Sequence, residues 1–220
     1  MLEEKRVELF IDTANIEEIR EIASWGVIRG VTTNPKIFAK EGVGLRDRIQ
    51  EILQCVNGPL SVEVTTNDYE EMIKEAKQYA SWHDNIVVKV PMSPVGLRAA
   101  TELKKKNIKT NVTAVMSVNQ AILAAMAGAT YTSIFMSRIA DIGHDPLDVI
   151  RKSVEIFDRN RFETKIIIGS IRLMTQINEA ASAGAHVITV PYAFFKQLAS
   201  HPLTDSTINE FLKAWSKVPS

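Results

Sequence analysis

A (β/α)8 barrel with an extra C-terminal helix is the α/β fold that three features of this sequence predict. Strand-like and helix-like stretches alternate eight times from end to end. No Pro/Gly-rich linker splits the chain, so residues 1–220 read as one barrel domain. The strand patterns set polar residues on one face and apolar residues on the other. A doubly wound open sheet is the competitor. It is weaker because eight similar βα units use almost the whole chain, as a TIM barrel requires.

Taken in order, Val7 to Asp12 is the first strand, and Thr13 to Asn15 offers capping oxygens for a helix over 16–25. Gly30 to Thr33 is the second strand, and Asn34-Pro35 enters a helix with Pro in its first turn. A further helix spans about 45–56. The third strand is 61–65, and Asp68 caps a long helix to about His83. The fourth strand, Ile86 to Pro91, is followed by a helix over 94–107, and the fifth, 109–114, by one over 118–129. The sixth strand is 131–135. A longer loop then leads to a helix over 146–160. The seventh strand, 165–169, precedes a helix from about Arg172 to Ala183, and the eighth is 186–191. Helices near 193–200 and 206–217 finish the chain. The last of them, within 204–220, lies outside the barrel count. Its stripe of Ile208, Phe211, Leu212 and Trp215 needs a surface to cover, on this barrel or on a neighbouring subunit.

Composition narrows the function classes. Apolar content is 45% and charged content 24%, which suits a globular protein. A formal net charge of zero argues against nucleic acid as a partner while leaving room for a local basic pocket. The lone Cys55 excludes an internal disulfide and fits a reducing cytoplasm. Its apolar neighbours at helical spacing mark it as a small core residue. The N-terminus lacks a signal-peptide apolar core, and no apolar run is long enough to span a bilayer. The four histidines have no metal-ligand spacing and there is no Gly-rich nucleotide loop, so neither metal nor cofactor is expected. Lys104 to Lys106 reads as a solvated helix end.

Lys89 stands among β-branched residues in the fourth strand. Burying an unpaired ammonium is costly, and a buried lysine tends towards the neutral amine, a nucleophile for carbonyl carbon. A strand-end lysine that snorkels to solvent is the bland alternative. Strand parity changes the balance. Asp12 shares a face with Phe10, Glu63 with Ser61, Lys89 with Val87 and Asn111 with Thr113, each opposite apolar residues. In strand seven, Ser170 falls on the face of Ile166 and Ile168. Asp12, Glu63, Lys89, Asn111 and Thr113 therefore converge on the C-terminal mouth, where active sites of this architecture sit. Such clustering of titratable groups favours catalysis over a purely structural network. Arg172, in the first turn of a helix, meets the positive end of the helix dipole. A bound anion would resolve the conflict. Arg138, in the loop after strand six, is the second jaw of this anion site, unless it pairs with Asp141 or Asp145 at the surface.

These residues resemble those of the small transaldolases, a class I aldolase family that includes the fructose-6-phosphate aldolases. The matching stretches are Phe10 to Asn15, Gly30 to Pro35, Val87 to Pro91, Thr110 to Thr113, Asp141 to His144, Ser170 to Arg172 and His201 to Asp205. The resemblance implies that Lys89 forms a Schiff base with a ketose C2 carbonyl. It implies that Asp12 deprotonates the C4 hydroxyl, and that Glu63 moves protons through a water held with Thr113. It places Asn34, Asn111 and Ser133 around the dihydroxyacetone unit and Arg138, Ser170 and Arg172 around a terminal phosphate, with Thr33 and Phe135 as further substrate-binding residues. It also implies a homo-oligomer, a pentamer or decamer. Family aldolases that release dihydroxyacetone carry Gln and Tyr where this chain has Glu63 and Phe135, so transaldolase is the expected activity. Departures cluster near the anion clamp. They are Ser137 and Ala140 around Arg138, Gly169, the Leu173-Met174 pair, and Ala114 to Met116 beside Thr113. A sugar sulfonate, 6-deoxy-6-sulfofructose, is therefore the alternative to a sugar phosphate substrate.

Overall fold

Eight parallel strands close into a barrel in which every strand pairs with its sequence neighbours and the last returns to the first. The structure is a computed structural model and describes residues 7–218. The strands are β1 (Glu8–Asp12), β2 (Ile28–Thr32), β3 (Leu60–Glu63), β4 (Ile86–Pro91), β5 (Thr110–Val115), β6 (Tyr131–Phe135), β7 (Lys165–Gly169) and β8 (Val187–Val190). The helices are α1 (Ile16–Ser24), α2 (Pro35–Phe38), α3 (Leu45–Cys55), α4 (Tyr69–Ala80), α5 (Pro94–Lys105), α6 (Val118–Met126), α7 (Met136–Asp141), α8 (Pro146–Asn160), α9 (Thr175–Ser182), α10 (Tyr192–Leu198) and α11 (Pro202–Trp215).

Side-chain alternation sorts the core into two parts. Outward strand residues such as Ile11, Val62, Val88, Ile134, Ile166 and Ile188 pack with helix residues such as Ile19, Ile49, Met72, Leu103 and Phe157. Inward residues Phe10, Val87, Tyr131, Ile167 and Val187 fill the barrel below its mouth. Gly30 makes this plug possible. A Cβ there would lie 2.8 Å from Phe10 Cζ and 2.7 Å from the Pro59 carbonyl oxygen. Cys55 packs partly buried against the outer core.

Local chemistry sets the helix starts. The Asn15 side chain accepts from the Glu17 and Glu18 amides, and Asp68 caps α4 through the Glu71 amide. Four expectations are corrected. The loop after β6 contains α7, which has no side-chain cap to announce it in the sequence. The α9 helix starts at Thr175, so Arg172 lies in the loop before it and its conflict with a helix dipole does not arise. The α11 helix starts at Pro202, four residues early, because the His201 Nδ1 accepts from the Leu203 amide and Pro suits the first turn. Thr65 leaves the ladder of β3, and its amide and hydroxyl both donate to Glu75 instead.

The α11 helix buries none of its residues. Ile208, Phe211, Leu212 and Trp215 are 50%, 68%, 62% and 73% exposed, so its apolar stripe finds no cover among the described residues. No helix among the described residues is long and apolar enough to cross a membrane.

Candidate active site

Lys89 lies on β4, which is buried along nearly its whole length. Only 5% of it is exposed. Its register partner on β3 is Glu63, and on β5 it is Asn111. The ammonium is therefore paired: Nζ lies 3.1 Å from Glu63 Oε2 and donates to the Thr33 carbonyl at 2.9 Å. The snorkelling alternative does not hold for a side chain enclosed in this way.

Asp12, at the end of β1, opens onto the same cavity. Thr32, its register partner on β2, donates to Asp12 Oδ1 at 2.7 Å. Thr189 on β8 lies 2.5 Å from the Thr32 hydroxyl. Because Thr32 spends its proton on the carboxylate, Thr189 is the donor in that second bond. Burial pushes the Asp12 carboxyl above its ordinary value. The positive charge of Lys89 and the Thr32 hydrogen bond pull it back part of the way, and Glu63 pushes it up again. A carboxyl with a raised pKa is suited to proton transfer near neutral pH.

Behind Lys89, Asn111 is fully buried and bridges two strands. It donates to Ser61 Oγ at 3.2 Å and accepts from Ser133 Oγ at 2.8 Å. Thr113 Oγ1 is buried without a hydrogen-bond partner among the described residues. Asn34 caps α2 through the Ile37 amide at 3.1 Å, which spends its carbonyl and turns the residue to the cavity. Thr33 is placed differently from the expectation. Its hydroxyl turns to the Ser61 carbonyl at 2.7 Å, and what it offers the site is its own carbonyl on Lys89.

The cavity of about 270 Å³ is lined by Asp12, Thr32, Asn34, Lys89, Ser133, Phe135, Arg138, Gly169, Ser170, Ile171, Arg172 and Thr189. Glu63 and Asn111 flank Lys89 in the register of the neighbouring strands and do not line the cavity themselves. A larger hollow of about 1340 Å³, beside Glu8, Lys165 and His186, contains none of the converging residues.

Ser170 reaches the cavity against its expected parity. Ile167 belongs to the inner plug and Ile166 and Ile168 to the outer core, so strict alternation would point Ser170 outwards. The strand ends at Gly169, and Ser170 adopts a left-handed φ of 59°, which turns it inward. Ala114, directly after Thr113, is also left-handed at φ 60°, at the register shift between β5 and β6. Non-glycine residues in this region cost about 1–2 kcal/mol each. Such strain concentrates at functional sites.

Arg138 and Arg172 both line the cavity mouth. Arg172 Nη1 donates to both carboxylate oxygens of Asp141, each at 2.9 Å. Asp145 caps α8 through the Leu147 amide. Both carboxylates considered as surface partners of Arg138 are thus engaged elsewhere, and Arg138 has no ion pair among the described residues. A cavity with a buried amine, a raised carboxyl and two guanidiniums suits a carbonyl compound that ends in an anion. Thr32 and Thr189 are members of this network that the sequence did not single out, and Asp141, considered there as a partner of Arg138, pairs with Arg172 instead. Threonines are common in strands, so neither threonine raises a signal of its own. Among the described residues, no group of three or more metal-ligating side chains comes together.

Comparison with known proteins agrees with this geometry. Residues 9–218 match the model of the family described as transaldolase/fructose-6-phosphate aldolase. Proteins named probable transaldolase are similar over nearly their whole length. One from Alkaliphilus metalliredigens is 51% identical over 95% of this chain and 98% of its own. One from Symbiobacterium thermophilum is 49% identical over 95% and 97%. Among solved structures, the barrel is similar in fold to the thiamine phosphate pyrophosphorylase of Pyrococcus furiosus. The TM-score is 0.59 and the identity 16%, over 84% of this chain and 85% of that one. A flavocytochrome b2 mutant with benzoylformate has a TM-score of 0.58 at 14% identity, over 84% of this chain and 56% of that one. The last two likenesses concern the fold alone, whereas the first three reach the sequence itself: the chain belongs to the transaldolase/fructose-6-phosphate aldolase family.

Proposed function

We propose that this protein is a transaldolase that moves a dihydroxyacetone unit from a ketose phosphate, fructose 6-phosphate or sedoheptulose 7-phosphate, to an aldose phosphate. The observation that carries this reading is the enclosed Lys89, paired with Glu63 and facing the cavity that Asp12 lines. The Lys89 amine adds to the ketose C2 carbonyl, and loss of water from the carbinolamine leaves a Schiff base. Asp12 takes the proton of the C4 hydroxyl, the C3–C4 bond breaks, and its electron pair forms a C2=C3 double bond as the protonated Schiff base takes up the charge and becomes an enamine. The first aldehyde departs. An acceptor aldehyde then takes C3 of the enamine, Asp12 returns the proton, and water releases the new ketose. Glu63 carries protons as the carbinolamine forms and collapses, through a water that the unpartnered Thr113 hydroxyl helps to hold. Asn34, Asn111 and Ser133 hold the three-carbon unit, and Arg138, Ser170 and Arg172 the terminal anion.

Glu63 and Phe135 favour transfer over release. Fructose 6-phosphate cleavage should therefore be much faster with an acceptor such as erythrose 4-phosphate than without one. Equal rates would assign the protein to the aldolases that release dihydroxyacetone.

A second reading rests on the Asp141–Arg172 pair. The carboxylate cancels one of the two guanidinium charges at the mouth, and a single net positive charge suits a monoanion. The donor in that case is 6-deoxy-6-sulfofructose. Turnover of the sulfonate and of fructose 6-phosphate at a fixed acceptor separates the two readings. A strong preference for phosphate removes the second.

The bare stripe of α11 supports a homo-oligomer in which α11 lies on the next copy, and the family resemblance supplies its size, a ring of five or a pair of such rings. A cytoplasmic location fits sugar phosphate chemistry and the lone Cys55.

A further inference from the structure

The geometry points to Gln176 as the residue that sets the spacing of the two arginines at the cavity mouth. The inference rests on the reading that Arg138 and Arg172 clamp the donor's terminal anion. Gln176 is the second residue of α9 and is 7% exposed. Its Oε1 accepts from the Arg172 amide at 2.8 Å, the Leu173 amide at 3.1 Å and the Ser137 hydroxyl at 3.0 Å. One side-chain carbonyl thus satisfies two loop amides and reaches across to α7, where Ser137 directly precedes Arg138. The Ser137 amide donates to the Ser170 carbonyl at 3.3 Å, and Asp141 at the end of α7 holds the Arg172 guanidinium.

Two elements that carry the two guanidiniums are therefore joined at three points, and only one of these is buried side chain to buried side chain. That point is the Ser137–Gln176 bond. The loop needs it, because no helix turn holds Arg172 and Ser170 sits in a left-handed conformation. Without the Gln176 carbonyl, two amides and a buried hydroxyl seek new acceptors, and the loop relaxes away from α7. Arg172 keeps its charge and loses its place relative to Arg138. Gln176 is a positioning residue. It lines neither of the two cavities described above and acts only through the arginines.

The test uses the full chain, with fructose 6-phosphate or unphosphorylated fructose as donor at a fixed acceptor. Gln176→Leu is expected to raise KM for fructose 6-phosphate about tenfold or more while kcat changes little, since a misplacement of about 1 Å can cost on the order of 100-fold. The preference for the phosphorylated donor falls by the same factor, and inhibition by inorganic phosphate weakens with it. Ser137→Ala, which removes one small buried group, moves the same ratio in the same direction by less, and it decides the matter if Gln176→Leu does not fold. Arg172→Ala separates the two levels of the argument. If Arg172→Ala lowers the preference and neither Gln176→Leu nor Ser137→Ala does, the positioning role is overturned and the clamp stands. If Arg172→Ala leaves the preference intact, the clamp fails and the role of Gln176 falls with it.

Discussion

Lys89 Nζ lies 3.1 Å from Glu63 Oε2, and the two residues are direct partners in the register of β3 and β4. The pair places a proton acceptor directly against the amine. Glu63→Gln removes that charge while keeping the shape. It is expected to lower kcat for transfer by about 100-fold, the scale of a lost proton-transfer group. It should also raise the share of dihydroxyacetone released rather than transferred. Product analysis with and without acceptor measures both.

Asp12 separates activity from stability. Its carboxyl is held above its ordinary value mainly by burial. In the folded protein it therefore binds a proton more tightly than in the unfolded chain. Its contribution favours folding below the ordinary carboxylate range and is lost as pH rises through the raised value. Asp12→Asn removes a penalised charge. The variant should lose about 100- to 10,000-fold in kcat. It should melt higher than the parent at pH 7–8, and the gap should close as pH falls. Thermal unfolding across pH checks the sign.

Tyr131 offers a second titration, away from the site. Burial beneath the mouth, and the charge of Glu8 to a lesser degree, push its phenol up to about 12. Its folded form is favoured below pH 10, and that contribution is lost as pH rises towards 12. A spectrophotometric titration of the parent and of Tyr131→Phe should differ by one phenol that ionises only in this upper range or on unfolding.

The limits of the sequence are visible in the same residues. The Asp12, Glu63, Lys89 and Asn111 group was legible because barrel strands alternate strictly, so parity alone brings four distant residues to one mouth. Ser170 broke that rule through a single left-handed residue, which no spacing pattern reveals. Helix α7 was missed because it is short and lacks a capping side chain. The cap of α11 at His201 was missed because histidine is an uncommon N-cap. Gln176 was invisible because its carbonyl acts across 39 positions of sequence, on a serine with no motif of its own.

The α11 helix predicts an assembly. Phe211 and Trp215 are 68% and 73% exposed and touch no core. Phe211→Asp with Trp215→Asp should leave the circular dichroism of the barrel unchanged and reduce the sedimenting mass to that of one chain. An unchanged assembly would remove α11 from the interface.

The central claim is that Lys89 holds the ketose covalently. Borohydride reduction in the presence of fructose 6-phosphate, followed by peptide mass mapping, tests it directly. The account predicts one stable adduct, located on Lys89 and absent from Lys89→Met. Full retention of unmodified Lys89, or an adduct on another lysine, would contradict it.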